Sequence, residues 1–299
     1  MLNCLFGRKF AAGAICAALL AMATPDAMAV DVDPGEYEAA PPGTSLLIGY
    51  GLFDWYDQFH DRSGDKVSDS RLNTQTGILR PVHFVDIFGI TADPQFFLIY
   101  GWQDNAKLGG ATLDDASGFY DMILASTFWI INNQEKKRWF GITPFLWLPV
   151  GNYSKNNALN TGENRWKGAI QLGYNEHFDE NWAADFYFDT TIYGDNDSYG
   201  PGHDKLKQDP SYQFQTWLRY YITPEWNVAP GYSATWGGYT RISGTTDPKA
   251  QTQAQQLRLA TQYWFTPDLQ FETQMRTDVW SEGGFQDTFG LHFRILKVF

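Results

Sequence analysis

Residues Tyr212-Gln-Phe-Gln-Thr-Trp-Leu-Arg-Tyr-Tyr-Ile222 form an eleven-residue run that contains no glycine or proline. Apolar and aromatic side chains predominate at its even positions, whereas the odd positions include Gln213, Gln215 and Arg219. A period of two predicts a β-strand whose two faces meet different surroundings. Eleven residues is also about the length that a tilted strand needs to cross a bilayer.

The same alternation recurs towards the carboxyl end of the chain. Residues 257–265 place Leu, Leu, Thr, Tyr and Phe at odd positions, and Arg, Ala, Gln and Trp at even positions. Residues 269–279 carry Leu, Phe, Thr, Met, Thr and Val at odd positions and Gln, Glu, Gln, Arg and Asp at even positions. Residues 289–295 alternate in the same way shortly before the chain ends at Phe299. The sequence therefore predicts several long two-faced strands.

Short polar turns recur at a nearly constant interval between these strands. Phe178-Asp-Glu-Asn-Trp182, Ile222-Thr-Pro-Glu-Trp226 and Phe265-Thr-Pro-Asp-Leu269 begin 44 and 43 residues apart, and similar clusters lie earlier, at 132–137 and 89–94. Six longer polar stretches separate them, at about 58–69, 104–117, 151–164, 194–210, 240–254 and 281–285. Five short turns and six long loops join twelve strands, an even number as in bacterial outer-membrane barrels.

Two soluble architectures compete with a membrane barrel. A repeat of 40–45 residues also fits β-propeller blades, but a blade holds four short strands, and the runs 212–222 and 255–265 are too long for that. A secreted soluble β-protein would bury its apolar faces, whereas a membrane barrel turns them towards lipid. The alternation alone does not separate these two cases.

Aromatic residues near the turns favour the membrane barrel. Trp139, Trp182, Trp226 and Trp264 lie where an interfacial belt is expected. Phe299 ends the final alternating strand and is predicted to be its assembly signal. The sequence therefore predicts an all-β fold, a 12-stranded antiparallel transmembrane β-barrel of the outer-membrane type.

Composition agrees with this fold and excludes others. Of the 299 residues, 19% are charged and 17% are aromatic, and the mean hydropathy is -0.37. A bundle of membrane helices is excluded, because each span needs about 20 apolar residues. A net charge of -12 argues against nucleic acid as a partner.

The amino terminus reads as a secretory signal peptide. Arg8 and Lys9 precede an apolar stretch over 10–23, and Ala27-Met28-Ala29 forms a small-residue cleavage site. A membrane anchor is the less favoured alternative, because the apolar stretch is short. We predict a signal peptide over 1–29, a periplasmic amino-terminal segment over 30–42 and a barrel over 43–299. Both cysteines of the chain fall within the signal peptide.

The alternation also predicts which side chains line the lumen. Pairing like faces across the turn at 266–268 sets Gln262 opposite Glu272 and Arg258 opposite Arg276. Facing arginines repel, so we expect an acid to lie between them: Glu272, Asp278 or one from a neighbouring strand. The candidates for the lumen and the solute path are Asp185, Asp189, Gln213, Gln215, Arg219, Arg258, Gln262, Glu272, Gln274, Arg276, Asp278, His292 and Arg294, with the rings of Phe145, Trp147, Tyr187 and Trp217. Each could instead simply pack the barrel interior.

Motifs in the first half of the barrel resemble a known family. They are Pro41-Pro-Gly-Thr-Ser-Leu-Leu47, Gly64-Asp-Lys-Val67, Leu148-Pro-Val-Gly-Asn-Tyr-Ser154 and Asn160-Thr-Gly-Glu-Asn-Arg-Trp166. In this order they resemble the outer-membrane transporters of the meta-pathway of phenol degradation. The resemblance covers most of the mature chain and is strongest over 41–67 and 145–166. It implies an outer-membrane barrel linked to the uptake of aromatic or other hydrophobic compounds, and carries over no particular site residue.

Together these features predict a passive channel without cofactor or metal. The expected partners are outer-membrane lipid and lipopolysaccharide, the barrel-assembly machinery, and a small hydrophobic or aromatic solute. Two alternatives within the outer membrane stay open. One is a structural or adhesive barrel whose lumen is plugged by side chains. The other is a lipid-modifying enzyme using Ser281 and His292, although parity places His292 on the polar face.

Overall fold

The computed structural model describes residues 31–61, 63–243, 245–246 and 253–299. The predicted signal peptide lies outside these residues. The described chain forms twenty-four strands: β1 Ser45–Tyr56, β2 Gln58–His60, β3 Lys66–Val67, β4 Arg71–His83, β5 Val85–Ile87, β6 Ile90–Ala92, β7 Gln95–Leu108, β8 Ala111–Thr112, β9 Ala116–Phe119, β10 Met122–Ala125, β11 Phe128–Asn133, β12 Arg138–Leu148, β13 Lys167–His177, β14 Trp182–Tyr193, β15 Asn196–Tyr199, β16 Asp204–Gln208, β17 Ser211–Thr223, β18 Trp226–Gly237, β19 Thr240–Ile242, β20 Thr245–Thr246, β21 Gln253–Thr266, β22 Leu269–Glu282, β23 Gly284–Gln286 and β24 Phe289–Val298.

The long strands close into one antiparallel barrel. Within the described residues it has twelve wall strands: β1, β4, β7, the interrupted strand β9–β10–β11, β12, β13, β14, β17, β18, β21, β22 and β24. Pairing of β1 with both β24 and β4 closes the wall. The predicted fold and strand number are confirmed.

The register across the last long hairpin is the predicted one. In the pairing of β21 with β22, Arg258 lies opposite Arg276 and Gln262 lies opposite Glu272. A slip of one residue would move every polar side chain of a strand into lipid. The alternation therefore suffices to set this register.

Short turns lie at one end of the barrel and long loops at the other. We call these the short-turn end and the loop end. At the loop end, β2, β3 and β23 form one small sheet, and β15, β16, β19 and β20 form a second. At the short-turn end, β5 and β6 form a hairpin whose turn is Phe88-Gly89, slightly before the turn predicted over 89–94. No helix in the described residues is long and apolar enough to span a membrane.

The fourth wall strand is broken in two places. Tyr120-Asp121 separates β9 from β10, and Ser126-Thr127 separates β10 from β11. As a result β7 pairs with β10 only from Gln95 to Phe97. The Asp121 carboxylate accepts hydrogen bonds from the backbone N–H of Gly151 (2.9 Å) and of Glu163 (3.0 Å) in the next loop. That loop thus covers the first break.

Burial is inverted relative to a soluble protein. Gln171, Asn175 and Asp185 on the inner face are almost fully buried, whereas Ile170 and Phe186 on the outer face are each 46% exposed. A water-soluble sandwich would bury its apolar face instead. The outer face of this barrel therefore suits lipid, and the soluble alternative fails.

Two of the predicted interface tryptophans are not on the lipid-facing surface. Trp139 is only 4% exposed and packs inside the short-turn end with Trp129 and Phe84. Trp264 is half-buried and lies opposite Gln270, a buried lumen residue. Both tryptophans have aromatic neighbours, Phe140 beside Trp139, and Tyr263 and Phe265 beside Trp264. The sequence alone therefore does not show which residue of each run faces lipid.

The amino-terminal segment also lies elsewhere than expected. Residues 30–42 were predicted to be periplasmic, but Val32, Tyr37 and Ala39 are buried among lumen side chains. Acidic side chains next to Val32, at Asp31 and Asp33, bond to arginines of the wall, which draws the segment into the barrel. We call residues 31–39 the plug segment.

Candidate functional site: the barrel lumen

The plug segment supplies the acid that separates the facing arginines. Asp31 accepts hydrogen bonds from Arg258 Nη2 (2.6 Å) and Arg276 Nη1 (2.8 Å) with its two carboxylate oxygens. Neither Glu272 nor Asp278 has this position. Glu272 instead pairs with Arg294 Nη2 at 2.9 Å, and Asp278 accepts from Gln256 at 3.0 Å. An acid does separate the two arginines, but the predicted source is wrong, because Asp31 comes from outside the barrel strands.

Three more acids of the plug segment pair with wall cations. Asp33 accepts from Arg294 Nη1 at 2.9 Å, and Glu36 pairs with Arg80. Glu38 lies 2.6 Å from Arg219 Nη1 and 2.8 Å from His177 Nε2. Charge-assisted bonds of this kind are strong when water is excluded. Alternating acids therefore fix the segment along its length.

The backbone of the plug segment is recognised as well. Val32 N–H donates to Gln215 Oε1 (3.1 Å), and Trp217 Nε1 donates to the Val32 carbonyl (2.9 Å). Gln262 Nε2 donates to the Pro34 carbonyl at 2.8 Å. Gly35 N–H donates to Asp185 Oδ2 at 2.9 Å. These bonds satisfy polar groups that burial would otherwise leave unpaired.

Tyr37 packs flat against glycines of the wall. Its hydroxyl bonds to Thr143 Oγ1 at 2.6 Å and donates to Gln171 Oε1 at 3.1 Å. A Cβ added at Gly141 or Gly173 would lie less than 3.0 Å from the Tyr37 ring. The absence of a side chain at both positions leaves the room that the ring fills.

We expect Gly173→Ala to displace Tyr37 and loosen the plug segment. The added methyl clashes with a buried ring, and overpacking of this kind costs about 1–3 kcal/mol. Protease sensitivity of the plug segment and conductance in planar bilayers should both rise. Gly168→Ala is the matched control, because Gly168 lies on the outer face of the same strand and its added Cβ would meet only ordinary contacts, the nearest at 3.6 Å. Equal behaviour of the two variants would contradict the packing argument.

Arg276 is the centre of a buried ionic cluster. Besides Asp31, it lies 3.1 Å from Asp54 Oδ1 and 2.8 Å from Asp287 Oδ2. His292 Nε2 lies 2.8 Å from Asp54 Oδ1. The hydroxyl of Ser281 makes no hydrogen bond within the described residues. His292 therefore partners Asp54, which leaves the Ser281–His292 pairing without support.

An apolar patch lies on the inner wall beside the broken strand. Phe97, Ile123, Phe145, Trp147 and Ala169 are buried together there. A neighbouring cavity between the plug segment and the wall has a volume of about 20 Å³. That is room for about one water molecule and far less than an aromatic ring needs. At this place the described residues leave no room for an aromatic solute.

The loop between β12 and β13 adds a buried ion cluster above this patch. Glu163 pairs with Lys167 and with Arg165 Nη2, the latter at 2.6 Å. Burial alone would raise the pKa of the Glu163 carboxyl, but the two cations outweigh it and hold the pKa at about 2. The Lys167 ammonium lies 5.1 Å from the centre of the Trp147 ring. This cluster ties the loop to the aromatic patch.

All the predicted lumen residues lie on the inner face of the barrel. The buried ones are Asp185, Asp189, Gln213, Gln215, Arg219, Arg258, Gln262, Glu272, Gln274, Arg276, Asp278, Arg294, Phe145, Trp147, Tyr187 and Trp217, and His292 is half-buried. Most of them contact the plug segment or one another. Their part in a solute path stays a prediction.

The remaining surface candidates lie where the sequence suggested. Trp182 and Trp226 are exposed on the outer surface near the short turns. Phe299 is exposed, and its backbone pairs with Ser45 across the barrel closure. Their roles as membrane anchors and assembly signal stay predictions.

The sequence matches a known family over most of its length. The family profile described as "Putative MetA-pathway of phenol degradation" matches residues 56–295. The chain belongs to this family. No curated protein matches the sequence significantly.

Solved structures confirm the fold and the location. The crystal structure of an outer membrane channel from Pseudomonas putida F1 is 35% identical, with a TM-score of 0.85, and the match covers 90% of this chain and 100% of that one. A ΔS2S3 mutant of the TodX monoaromatic hydrocarbon channel has 12% identity and a TM-score of 0.51, covering 89% and 91%. The β domain of the Bordetella autotransporter BrkA has 8% identity and a TM-score of 0.51, covering 87% and 100%. The last two show the fold alone. The protein is an outer-membrane β-barrel of a channel family, with its short turns facing the periplasm.

Sequence reasoning missed the residues that fill the lumen. These are the acids Asp31, Asp33, Glu36 and Glu38 and their partner Arg80. A signal was present, because four acids fall within eight residues just before the first strand, with Val32 and Tyr37 between them. Several predicted lumen positions carry arginine, and these acids supply the opposite charge.

Proposed function

We propose that this protein is a passive channel that admits small hydrophobic or aromatic compounds across the outer membrane. The observation that carries the proposal is the buried patch of Phe97, Phe145 and Trp147 on the inner wall of the barrel. Aromatic rings bind one another by stacking and by edge-to-face contact. Membership of a family named for phenol degradation, and the structural likeness to a monoaromatic hydrocarbon channel, support the same solute class.

The proposed route begins between the loops at the extracellular end and reaches the aromatic patch. Beyond it, the plug segment fills the lumen, so passage requires a movement. Either the plug segment shifts towards the periplasm, or the solute leaves sideways where β7 and β10 pair over only three residues. Both movements use equilibrium fluctuations and need no nucleotide hydrolysis.

We infer that the protein works without covalent chemistry. Two of the similar solved structures are described as channels, and His292 bonds to Asp54 and not to a serine hydroxyl. We further propose that the exposed outer face contacts lipid and lipopolysaccharide, and that Phe299 is recognised by the barrel-assembly machinery. A plugged structural or adhesive barrel is the second candidate, favoured by the filled lumen.

Truncating the patch should reduce uptake of aromatic solutes. We expect Phe145→Ala to lower the initial rate of phenol uptake into proteoliposomes by about fivefold, because a lost ring contact is worth about 0.5–1.5 kcal/mol. Leu146→Ala is the matched control, since Leu146 is the next residue on the same strand and faces lipid. Its uptake rate should stay near that of the unmodified protein.

The uptake assay also separates the two candidates. Uptake no faster than in protein-free liposomes would favour the plugged barrel. A drop of the same size in both variants would show that the Phe145 effect comes from lost stability. A shift in gel mobility on heating verifies that each variant is folded.

A further inference from the structure

The lumen carboxylate of Asp189 has no cationic partner within the described residues. Asp189 is 1% exposed, and its Oδ2 accepts a hydrogen bond from the neutral amide of Gln171 at 3.2 Å. Its Oδ1 accepts no hydrogen bond within the described residues, and no ion pair involves it there. Nearby Asp31 and Asp185, by contrast, each lie within 3.0 Å of an arginine. An unpaired buried charge is costly, so Asp189 calls for a cationic partner.

Two further acceptors beside Asp189 are also unused. Gln213 lies directly opposite Asp189 on β17, and Thr191 is two residues further along β14 on the same face. Gln213 Oε1 and Thr191 Oγ1 are buried and accept no hydrogen bond in the described structure. With Asp189 Oδ1 they make three acceptors on one patch of wall. A primary ammonium group has three donors.

The plug segment runs towards this patch. Val32 bonds to Gln215, and Asp31 accepts from Gln213 Nε2 at 3.1 Å. A step of one residue back along the segment, from Val32 to Asp31, thus moves its wall partner by two residues, from Gln215 to Gln213. This step leads towards the loop end. A residue spans up to about 3.6 Å, so the residue before Asp31 falls within reach of Asp189 and Thr191.

We propose that the site formed by Asp189, Thr191 and Gln213 binds the α-ammonium group of the mature chain. Cleavage after Ala29 would make Val30 the first residue and create that group one residue ahead of Asp31. Before cleavage, the nitrogen of Val30 belongs to an uncharged peptide bond and offers Asp189 no counter-charge. Removal of the signal peptide thus completes the anchoring of the plug segment. The inference rests on the predicted cleavage site and is independent of the solute.

The test is the reactivity of the amino terminus in the folded protein. The protein is purified from outer membranes in detergent, its first residue is established by mass, and its amines are acetylated with a small reagent. We expect the Val30 amine to react about tenfold or more slowly than exposed Lys136, because reaction requires local opening. Asp189→Asn should raise its rate about tenfold, whereas Asp195→Asn, at an exposed position just beyond the same strand, should not change it.

A second variant tests the proposal without changing Asp189, so that its result does not depend on how Asp189→Asn folds. Insertion of Gly-Ser between Ala29 and Val30 leaves the wall intact and moves the ammonium group away from it. The inserted amine should react at the rate of Lys136. A mature chain that begins elsewhere, an unprotected Val30 amine, or equal rates in Asp189→Asn and the unmodified protein would each overturn the proposal.

Discussion

Deletion of residues 31–39 is expected to turn a closed barrel into an open pore. The segment is buried among lumen side chains, and a cavity between it and the wall has a volume of about 20 Å³. A barrel of twelve strands lies between small barrels filled by side chains and wide porins. Without the segment, single-channel conductance in planar bilayers should rise by about tenfold or more, since water and ions gain a continuous path.

A charge-only variant separates the ionic contribution from simple filling. Replacing Asp31, Asp33, Glu36 and Glu38 by Asn or Gln keeps the length and shape of the segment. The closed state of this variant should be less stable, so single-channel recordings should show frequent openings. Its mean conductance should lie between that of the unmodified protein and that of the deletion variant. A deletion variant that folds and still conducts like the unmodified protein would show that side chains of the wall close the lumen by themselves.

Loss of Arg276 should have the largest effect on stability. Its guanidinium contacts the carboxylates of Asp31, Asp54 and Asp287, and the Asp54 and Asp287 side chains are buried with it. Removing one partner of a buried ion pair costs about 3–5 kcal/mol, because the remaining charges are left uncompensated. We expect Arg276→Ala to lower the free energy of unfolding in urea and detergent by at least that amount.

Arg138 supplies the matched control for this prediction. It pairs with Glu176 at the short-turn end, where its side chain is 44% exposed. Exposed ion pairs contribute about 0–1 kcal/mol, so Arg138→Ala should leave the free energy of unfolding nearly unchanged. If Arg276→Ala behaved like Arg138→Ala, the cluster would be more hydrated than its burial indicates.

Ion pairing explains why the plug segment and the wall fit each other. Arginines at 80, 219, 258, 276 and 294 all point into the lumen, where alone they would repel. The plug segment carries four acids within eight residues, at positions 31, 33, 36 and 38. Each acid meets at least one arginine, so the segment neutralises charges that the register of the barrel brings together.

The alternating pattern does not predict the interruption of the fourth wall strand. Residues 116–133 contain Gly118 and a run of mixed character, so a period of two is not visible there. The first break persists because Asn152 in the loop after β12 bonds to the backbone of Phe119, and the second persists because Asp93 bonds to the backbone of Thr127. These contacts are distant in sequence, and no local pattern indicates them.

The sequence by itself determined the twelve strands, the lumen-facing side chains and the pairing of Arg258 with Arg276. Side-chain direction in a strand has a period of two, and the bilayer requires one apolar face, so local order fixes these features. Only the tertiary structure decided what fills the lumen, which side of the wall Trp139 faces, and which acid bridges the arginines. The bridging acid is Asp31, which meets residues more than 200 positions away, and a contact of that kind leaves no periodic trace in the chain.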